Sequence, residues 1–195
     1  MRRTVLAVGL AVGIGACHRA PPPEVAAQPA VDSSAVMRAR QDSIARAEAE
    51  AQARAMAERH RADSLAALQR ASDDLKAALA TMIHFDFDQA VIRPQDEQLL
   101  AQKVSILGAN SGVRLQIAGN CDERGSEEYN LALGNRRAVG AKQYLVRHGI
   151  NGTRIETVSY GKERPLDAGH DEEAWAENRN DQFGLLTTNG LLRQP

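Results

Sequence analysis

The chain carries almost no cysteine: Cys17 and Cys121 are the only two among 195 residues. It has one apolar run of any length, residues 5–14, and Gly9 and Gly13 interrupt it. That run is shorter than the roughly 20 residues a membrane-spanning helix needs. An excess of one charge is lacking as well, since 24 basic residues face 25 acidic ones. Nucleic-acid binders present a basic surplus, so that class of partner is not expected. The five histidines are scattered, with no Cys or His three or four residues on, which leaves no zinc-ligand spacing. No glycine-rich phosphate loop occurs. Residues 30–93 contain neither glycine nor proline.

What is there begins with an export signal. Arg2 and Arg3 form a basic region ahead of the apolar run, which ends Ile14-Gly15-Ala16-Cys17. Small side chains before a cysteine are what a lipoprotein signal peptidase admits. The pattern resembles a bacterial lipobox, which implies cleavage after residue 16 and acylation of Cys17. An ordinary secretory signal with an incidental cysteine is the plainer alternative. Loss of the two arginines moves the formal net charge from −1 to −3. Two or three acyl chains hold a protein firmly on a membrane, so no transmembrane segment is needed. Cys121 is then the one free thiol and no intramolecular disulfide can form. It reads as a small buried apolar residue. A nucleophilic role would need a base, for which His84 is the candidate.

Residues 17–31 hold the lipidated Cys17 and a proline-rich tether, with Pro21, Pro22, Pro23 and Pro29. Residues 32–81 form a spacer. Asp32, Ser33 and Ser34 offer N-caps, and residues 35–79 are dominated by Ala, Arg, Glu and Gln, strong helix formers. Fully helical, about 45 residues would reach roughly 70 Å. Leu65, Leu68, Leu75 and Leu79 follow coiled-coil-like spacing with Ser72 between them, a short pattern compatible with a solvated helix or a weak dimer or trimer.

Residues 82–188 read as one α/β domain, because strand and helix patterns alternate over about 105 residues. Ile83, Phe85 and Phe87 alternate as a strand. Pro94 opens a helix whose stripe is Leu99, Leu100, Val104 and Leu107, stopped by Gly108. Val113, Leu115 and Ile117 alternate as a second strand. Ser126 caps a helix with the stripe Leu131, Ala138, Ala141 and Leu145, ending at Gly149. A third strand covers residues 155–160, a short helix residues 172–179, and a last strand residues 183–186. Residues 189–195 read as a frayed tail.

The segment Asn120-Cys121-Asp122-Glu123-Arg124-Gly125-Ser126 puts an acidic turn at the end of the second strand. Asn130 and Arg137 follow seven apart, on one helix face. Gly134 lies between them, and a mid-helix glycine costs about 1 kcal/mol, so close approach of a ligand or another backbone is implied. An Asp and an Arg held apart suit a ligand bearing both an ammonium and a carboxylate. Spacing alone leaves a second reading open, in which Asp122 and Arg137 pair with each other or with Glu123, Arg124 and Arg136. A third is enzymatic, with Asp122 and Glu123 as paired carboxylates. Adjacent turn residues fit poorly there, since glycosidases set such groups about 5 to 9.5 Å apart across the bond.

Several stretches occur in order: Phe85-Asp86-Phe87-Asp88, Gly119 through Gly125, Glu128-Tyr129-Asn130, Leu133-Gly134-Asn135-Arg136-Arg137-Ala138, Ser159 through Pro165, and Asn178-Arg179. Together they resemble the OmpA C-terminal-like family, within it the peptidoglycan-associated lipoproteins. The resemblance covers residues 83–186. It implies an α+β sandwich with a mixed sheet of about four strands and helices on one face, after the long helical spacer. It implies non-covalent binding of peptidoglycan through the diaminopimelate of the stem peptide, with no enzymatic activity, cofactor or metal. The family roles fall on Asp122 for the ammonium and Arg137 for the carboxylate, with Asn130, Phe87 and Asp88 lining the pocket. It also implies a Tol–Pal system in envelope integrity and cell division, with a TolB-like periplasmic protein as partner. His18, rather than Asp, after Cys17 implies a lipid anchor in the outer membrane, on its periplasmic face. The chain departs from the family at Asn120, where many members carry His. It departs again at Asn180-Asp181-Gln182, where a second Arg and an apolar strand start are usual, which puts the edge of the last strand in question.

Overall fold

The computed structural model describes residues 32–188 and 190–195. The expected export signal, the acylated Cys17 and the proline-rich tether lie outside the described residues. The chain divides into two units, Met1–Gln52 and Ala53–Pro195. In the first, Asp32 caps the long helix α1 (Ser33–Ala80) by accepting from the Ser34 amide at 3.0 Å. Every described side chain there is exposed, Val36, Met37 and Ile44 included. Among the described residues no helix is long and apolar enough to cross a membrane.

In the second unit the elements run α1, β1 (Ile83–His84), α2 (Pro94–Ala109), β2 (Arg114–Asn120), α3 (Glu127–Arg147), a 3-10 turn, β3 (Ile155–Gly161), α4 (Glu172–Asn178) and β4 (Asn180–Thr187). The four strands form one mixed sheet in the order β1-β4-β2-β3. β2 and β3 are parallel, while β4 runs antiparallel to both its neighbours. A parallel pair needs a crossover, and α3 supplies it. Cross-strand partners share a face, so the pairs Leu115–Leu185 and Ile117–Phe183 place four apolar side chains on one side of the sheet. Leu100 and Leu107 from α2 and Ala138, Ala141 and Leu145 from α3 cover them.

Four expectations are corrected. The first strand is two residues, not five. After the Phe85 amide donates to the Arg179 carbonyl at 2.9 Å the chain turns away, and Phe87 ends 53% exposed rather than in the core beside Phe85. The last strand is longer than expected, because Asn180 and Asp181 pair with His84 and Ile83 of β1 and are fully buried. Gly108 does not stop α2, which runs on to Ala109. The last residues are not frayed. Leu192 is buried, its amide donates to Ser72 Oγ at 2.9 Å, and the Arg193 backbone exchanges two hydrogen bonds with Asn110.

The spacer also fails to stop at the domain edge. Leu75 and Leu79 enter the domain core, whereas Leu65 and Leu68 remain exposed. The end of α1 is held by Lys103, whose ammonium donates to the carbonyls of Ala78, Leu79 and Thr81 at 2.7 to 2.8 Å. Terminal helix carbonyls lack intrahelical partners, and a buried lysine satisfies them here. It also sits 4.3 Å above the Phe183 ring.

Candidate functional site

The site starts from a contact between two backbones. Gly119 on β2 and Gly134 on α3 lie so close that a Cβ built on Gly119 would stand 2.0 Å from the Gly134 carbonyl oxygen. The mid-helix glycine therefore answers to another backbone, not to a ligand. Its effect is to seat α3 deep on the sheet. Asn130, Leu133, Gly134, Arg137, Ala138, Ala141 and Leu145 are all buried, while Leu131 is 38% exposed. The face that carries Asn130 and Arg137 is thus part of the buried side of this helix, and Leu133 replaces Leu131 in the stripe.

Arg137 is 1% exposed. Its Nε donates to the Gln89 carbonyl (2.8 Å), Nη1 to the Asn120 carbonyl (2.7 Å) and Nη2 to the Asp86 carbonyl (3.3 Å), with a longer contact from Nη1 to Cys121 Sγ (3.5 Å). A guanidinium has five N–H donors, so about one is left for a ligand. The charge is uncompensated by any directly bonded carboxylate, and burial lowers its pKa.

Asp122 follows the end of β2, where the Cys121 amide donates to the Gly161 carbonyl at 2.7 Å. Oδ1 accepts from the Arg124 amide (3.1 Å), and Oδ2 from Arg124 Nη2 (2.7 Å) and Arg179 Nη1 (3.2 Å). Burial pushes this carboxyl up, but the bonds from Arg124 and Arg179 outweigh it and hold the pKa below the usual 3.8. A carboxylate offers about four lone-pair sites, so here too roughly one remains. Asp122 and Arg137 do not pair directly. A charge network is present, but its members are Asp122, Arg124, Arg179 and Glu172.

Ser126 caps α3 by accepting from the Tyr129 amide at 3.2 Å. Asn130 Nδ2 donates to the Arg124 carbonyl at 2.9 Å, so this residue braces the loop as well as facing the cavity. The Arg124 guanidinium is sandwiched between the rings of Phe87 (3.9 Å) and Trp175 (4.2 Å). Asp88, at a positive φ of 57°, accepts from the Tyr129 hydroxyl. The result is a cavity of about 170 Å³ lined by all five expected residues, Phe87, Asp88, Asp122, Asn130 and Arg137, together with Arg124, Tyr129 and Arg179 among others. Sequence reasoning missed the last three as site residues. All three lay inside the stretches that carry the resemblance, and only their partners reveal what they do.

The rival readings fare worse. Glu123 is exposed, and its pKa is lowered by hydrogen bonds from His170 and Trp175. Neither adjacent carboxyl is raised, as a general acid would require. Burial pushes the Cys121 thiol up to about 11, the opposite of an activated nucleophile. Among the described residues no group of His, Cys, Asp and Glu could hold a metal ion. The departures at 120 and 180 meet each other: Asn120 Nδ2 donates to Asn180 Oδ1 at 2.9 Å, with both residues buried.

The OmpA family matches residues 84–179. A peptidoglycan-associated lipoprotein of Pseudomonas aeruginosa is 43% identical over 108 residues, covering 55% of this chain and 64% of the relative. One from Mesorhizobium japonicum is 39% identical over 114 residues, covering 58% of this chain and 68% of the relative. The crystal structure of the peptidoglycan-associated lipoprotein from Burkholderia pseudomallei aligns with a TM-score of 0.54 at 40% identity, over 55% of this chain and 92% of that one. The chain belongs to the peptidoglycan-associated lipoproteins of the OmpA family. It spans 64% of the length of the first curated relatives it matches. The C-terminal domain of Helicobacter pylori MotB, 17% identical at a TM-score of 0.52, shares the fold alone. The family match runs from His84 to Arg179, so every residue lining the cavity falls within it, and Asn180 and Asp181 fall just beyond.

Proposed function

We propose that this chain binds peptidoglycan non-covalently, gripping the diaminopimelate of the stem peptide in the cavity between the 120–126 loop and α3. The observation that carries the reading is the buried Asp122 carboxylate and the buried Arg137 guanidinium, which face a single cavity without bonding to each other. A diaminopimelate terminus carries an ammonium and a carboxylate. Asp122 takes the ammonium on its remaining acceptor site. Arg137 takes the carboxylate with its remaining N–H and its uncompensated charge. Phe87, Asp88 and Asn130 complete the wall. The names of the relatives support peptidoglycan as the ligand, and two carboxyls held in their ionised forms support binding rather than catalysis. With Cys17 acylated, the chain tethers the outer membrane to the cell wall from its periplasmic face, within a Tol–Pal system that serves envelope integrity and division. A TolB-like periplasmic protein then meets the same face.

The test is a calorimetric titration of the protein with stem peptides ending in diaminopimelate or in lysine, which lacks the second carboxylate. The diaminopimelate peptide is expected to bind more tightly. Asp122→Asn should weaken both peptides, and Arg137→Lys should erase most of the preference. Equal binding of the two peptides by the unmodified protein would remove Arg137 from its role. Undiminished sedimentation of both variants with purified peptidoglycan would sink the site.

A further inference from the structure

Among the described residues, Asp181 is a fully buried carboxyl with no hydrogen-bond partner. It sits in β4 opposite Gly119 of β2 and Ile83 of β1. That register puts its side chain on the helix-covered face, two residues from Phe183 and beneath the Gly119–Gly134 contact. It is 0% exposed, and neither carboxylate oxygen has a hydrogen-bond partner. A buried ion without a partner is far costlier than a buried neutral acid. Burial accordingly raises its pKa well above 3.8, opposed only by the charge of Arg137.

The surroundings identify what Asp181 can act on. Ile83 on β1 is apolar, and His84 belongs to the opposite face with Asn180. On β2 the opposite residue is a glycine, and beyond the strand end lies the Cys121 thiol, neutral with its pKa near 11. From α2 comes Lys103, whose ammonium is committed to three carbonyls at the end of α1. From α3 comes Arg137, which bonds only to carbonyls and a thiol and has no carboxylate of its own. Of the cavity's other cations, Arg124 and Arg179 are each paired with Asp122 and Glu172.

We propose that Asp181 is a proton-linked counter-ion to Arg137, sited behind the cavity rather than in it. Protonated, it leaves the guanidinium charge to an anionic group of the ligand. Ionised, it becomes Arg137's internal partner and competes with that group. Ligand affinity therefore falls as pH rises through the Asp181 titration. Asp181 acts through Arg137 and touches no ligand, so it is a positioning residue. The inference rests on the carboxylate-binding reading given above.

The test uses the full mature protein and an N-acetylated diaminopimelate peptide, titrated calorimetrically from pH 5 to pH 8.5. The unmodified protein should lose affinity on the order of tenfold across its Asp181 transition. Asp181→Asn, which mimics the neutral acid, should lose that fall, and Asp181→Val, which cannot ionise either, should lose it too. His170→Gln should retain it, which separates Asp181 from the His170–Glu123 pair. A second readout needs no ligand. A carboxyl with a raised native pKa makes the native state hold the proton longer, so stability falls as pH rises from 3.8 toward that native value. The stability gap between Asp181→Asn and the unmodified protein should therefore widen with pH. Superimposable affinity profiles for the two proteins overturn the proposal, as does a fall in affinity without a widening gap. If no peptide binds while the gap still widens, the ligand reading fails and the proton-linked acid stands.

Discussion

The contact between Gly119 and Gly134 gives the sharpest prediction. In Gly119→Ala the new Cβ meets the Gly134 carbonyl oxygen at 2.0 Å, its carbon at 2.6 Å and its Cα at 3.0 Å, where ordinary contact begins near 3.4 Å. All three atoms are helix backbone, so no rotamer change relieves them and α3 must lift by more than an ångström. Overpacking that side chains can absorb costs about 1–3 kcal/mol, so a clash with backbone should cost roughly 3 kcal/mol or more. Gly134→Ala is the milder partner. Its Cβ meets Ser159 Oγ at 2.4 Å, which can rotate, and the Gly119 oxygen at 2.7 Å. Alanine also recovers about 1 kcal/mol of helix propensity, for a net cost of roughly 1–2 kcal/mol. Adding Ser159→Ala to Gly134→Ala should return part of that, as a coupling of about 0.5 kcal/mol or more. Urea unfolding followed by Trp175 fluorescence is the assay, because α1 dominates far-ultraviolet circular dichroism while Trp175 stacks against Arg124 at the site. Gly119→Ala falling within about 0.5 kcal/mol of the unmodified protein, or Gly134→Ala costing more than Gly119→Ala, would refute the reasoning.

Three further outcomes are expected. Lys103→Met leaves the Ala78, Leu79 and Thr81 carbonyls without their donor, which should destabilise by about 2–4 kcal/mol at roughly 1–3 per stranded group with partial rescue by water; limited proteolysis should then cut near residue 80. Cys121, with its thiol raised to about 11, should resist iodoacetamide at pH 8 when folded and react fully in urea. The Asp122 carboxyl is held below 3.8 in the native state, so its stabilisation is complete above that value and is lost as pH falls through the native pKa; Asp122→Asn should flatten acid unfolding below about pH 4.

The elements that could be read from sequence were those whose ends carry their own chemistry. Pro94 and Ser126 open α2 and α3, and the alternation of Leu115 and Ile117 marks β2, as found. The same alternation misled at β1. Ile83, Phe85 and Phe87 have the period of a strand, yet Phe87 is turned outward at the cavity. Nothing local to residues 83–87 encodes that turn, which depends on Arg179 docking against Phe85 by both its carbonyl and its Nε. The tail was misread for a related reason. Leu191 and Leu192 form an isolated apolar pair with no period to read, and the amide partner of Leu192, Ser72, is 120 positions away.

At the site, the five expected residues line one cavity, but spacing gave the wrong depth. A seven-residue interval places Asn130 and Arg137 on one face, but period alone does not say how far that face is sunk. Depth comes from two glycines on different elements meeting backbone to backbone, and a single glycine on α3 announces only half of that. Once α3 is seated so low, Arg137 cannot remain a free surface fork. It reaches the carbonyls of Asp86, Gln89 and Asn120, none of them near it in sequence. Arg124 and Arg179, not Arg137, then supply the positive charge bonded to Asp122. The clamp is consequently narrower than a bare Asp–Arg pair: about one acceptor site and one donor remain, on groups otherwise fixed by the fold. Under the proposed reading such a site discriminates by what it leaves unsatisfied, since a ligand lacking either the ammonium or the carboxylate leaves Asp122 or Arg137 without its remaining partner.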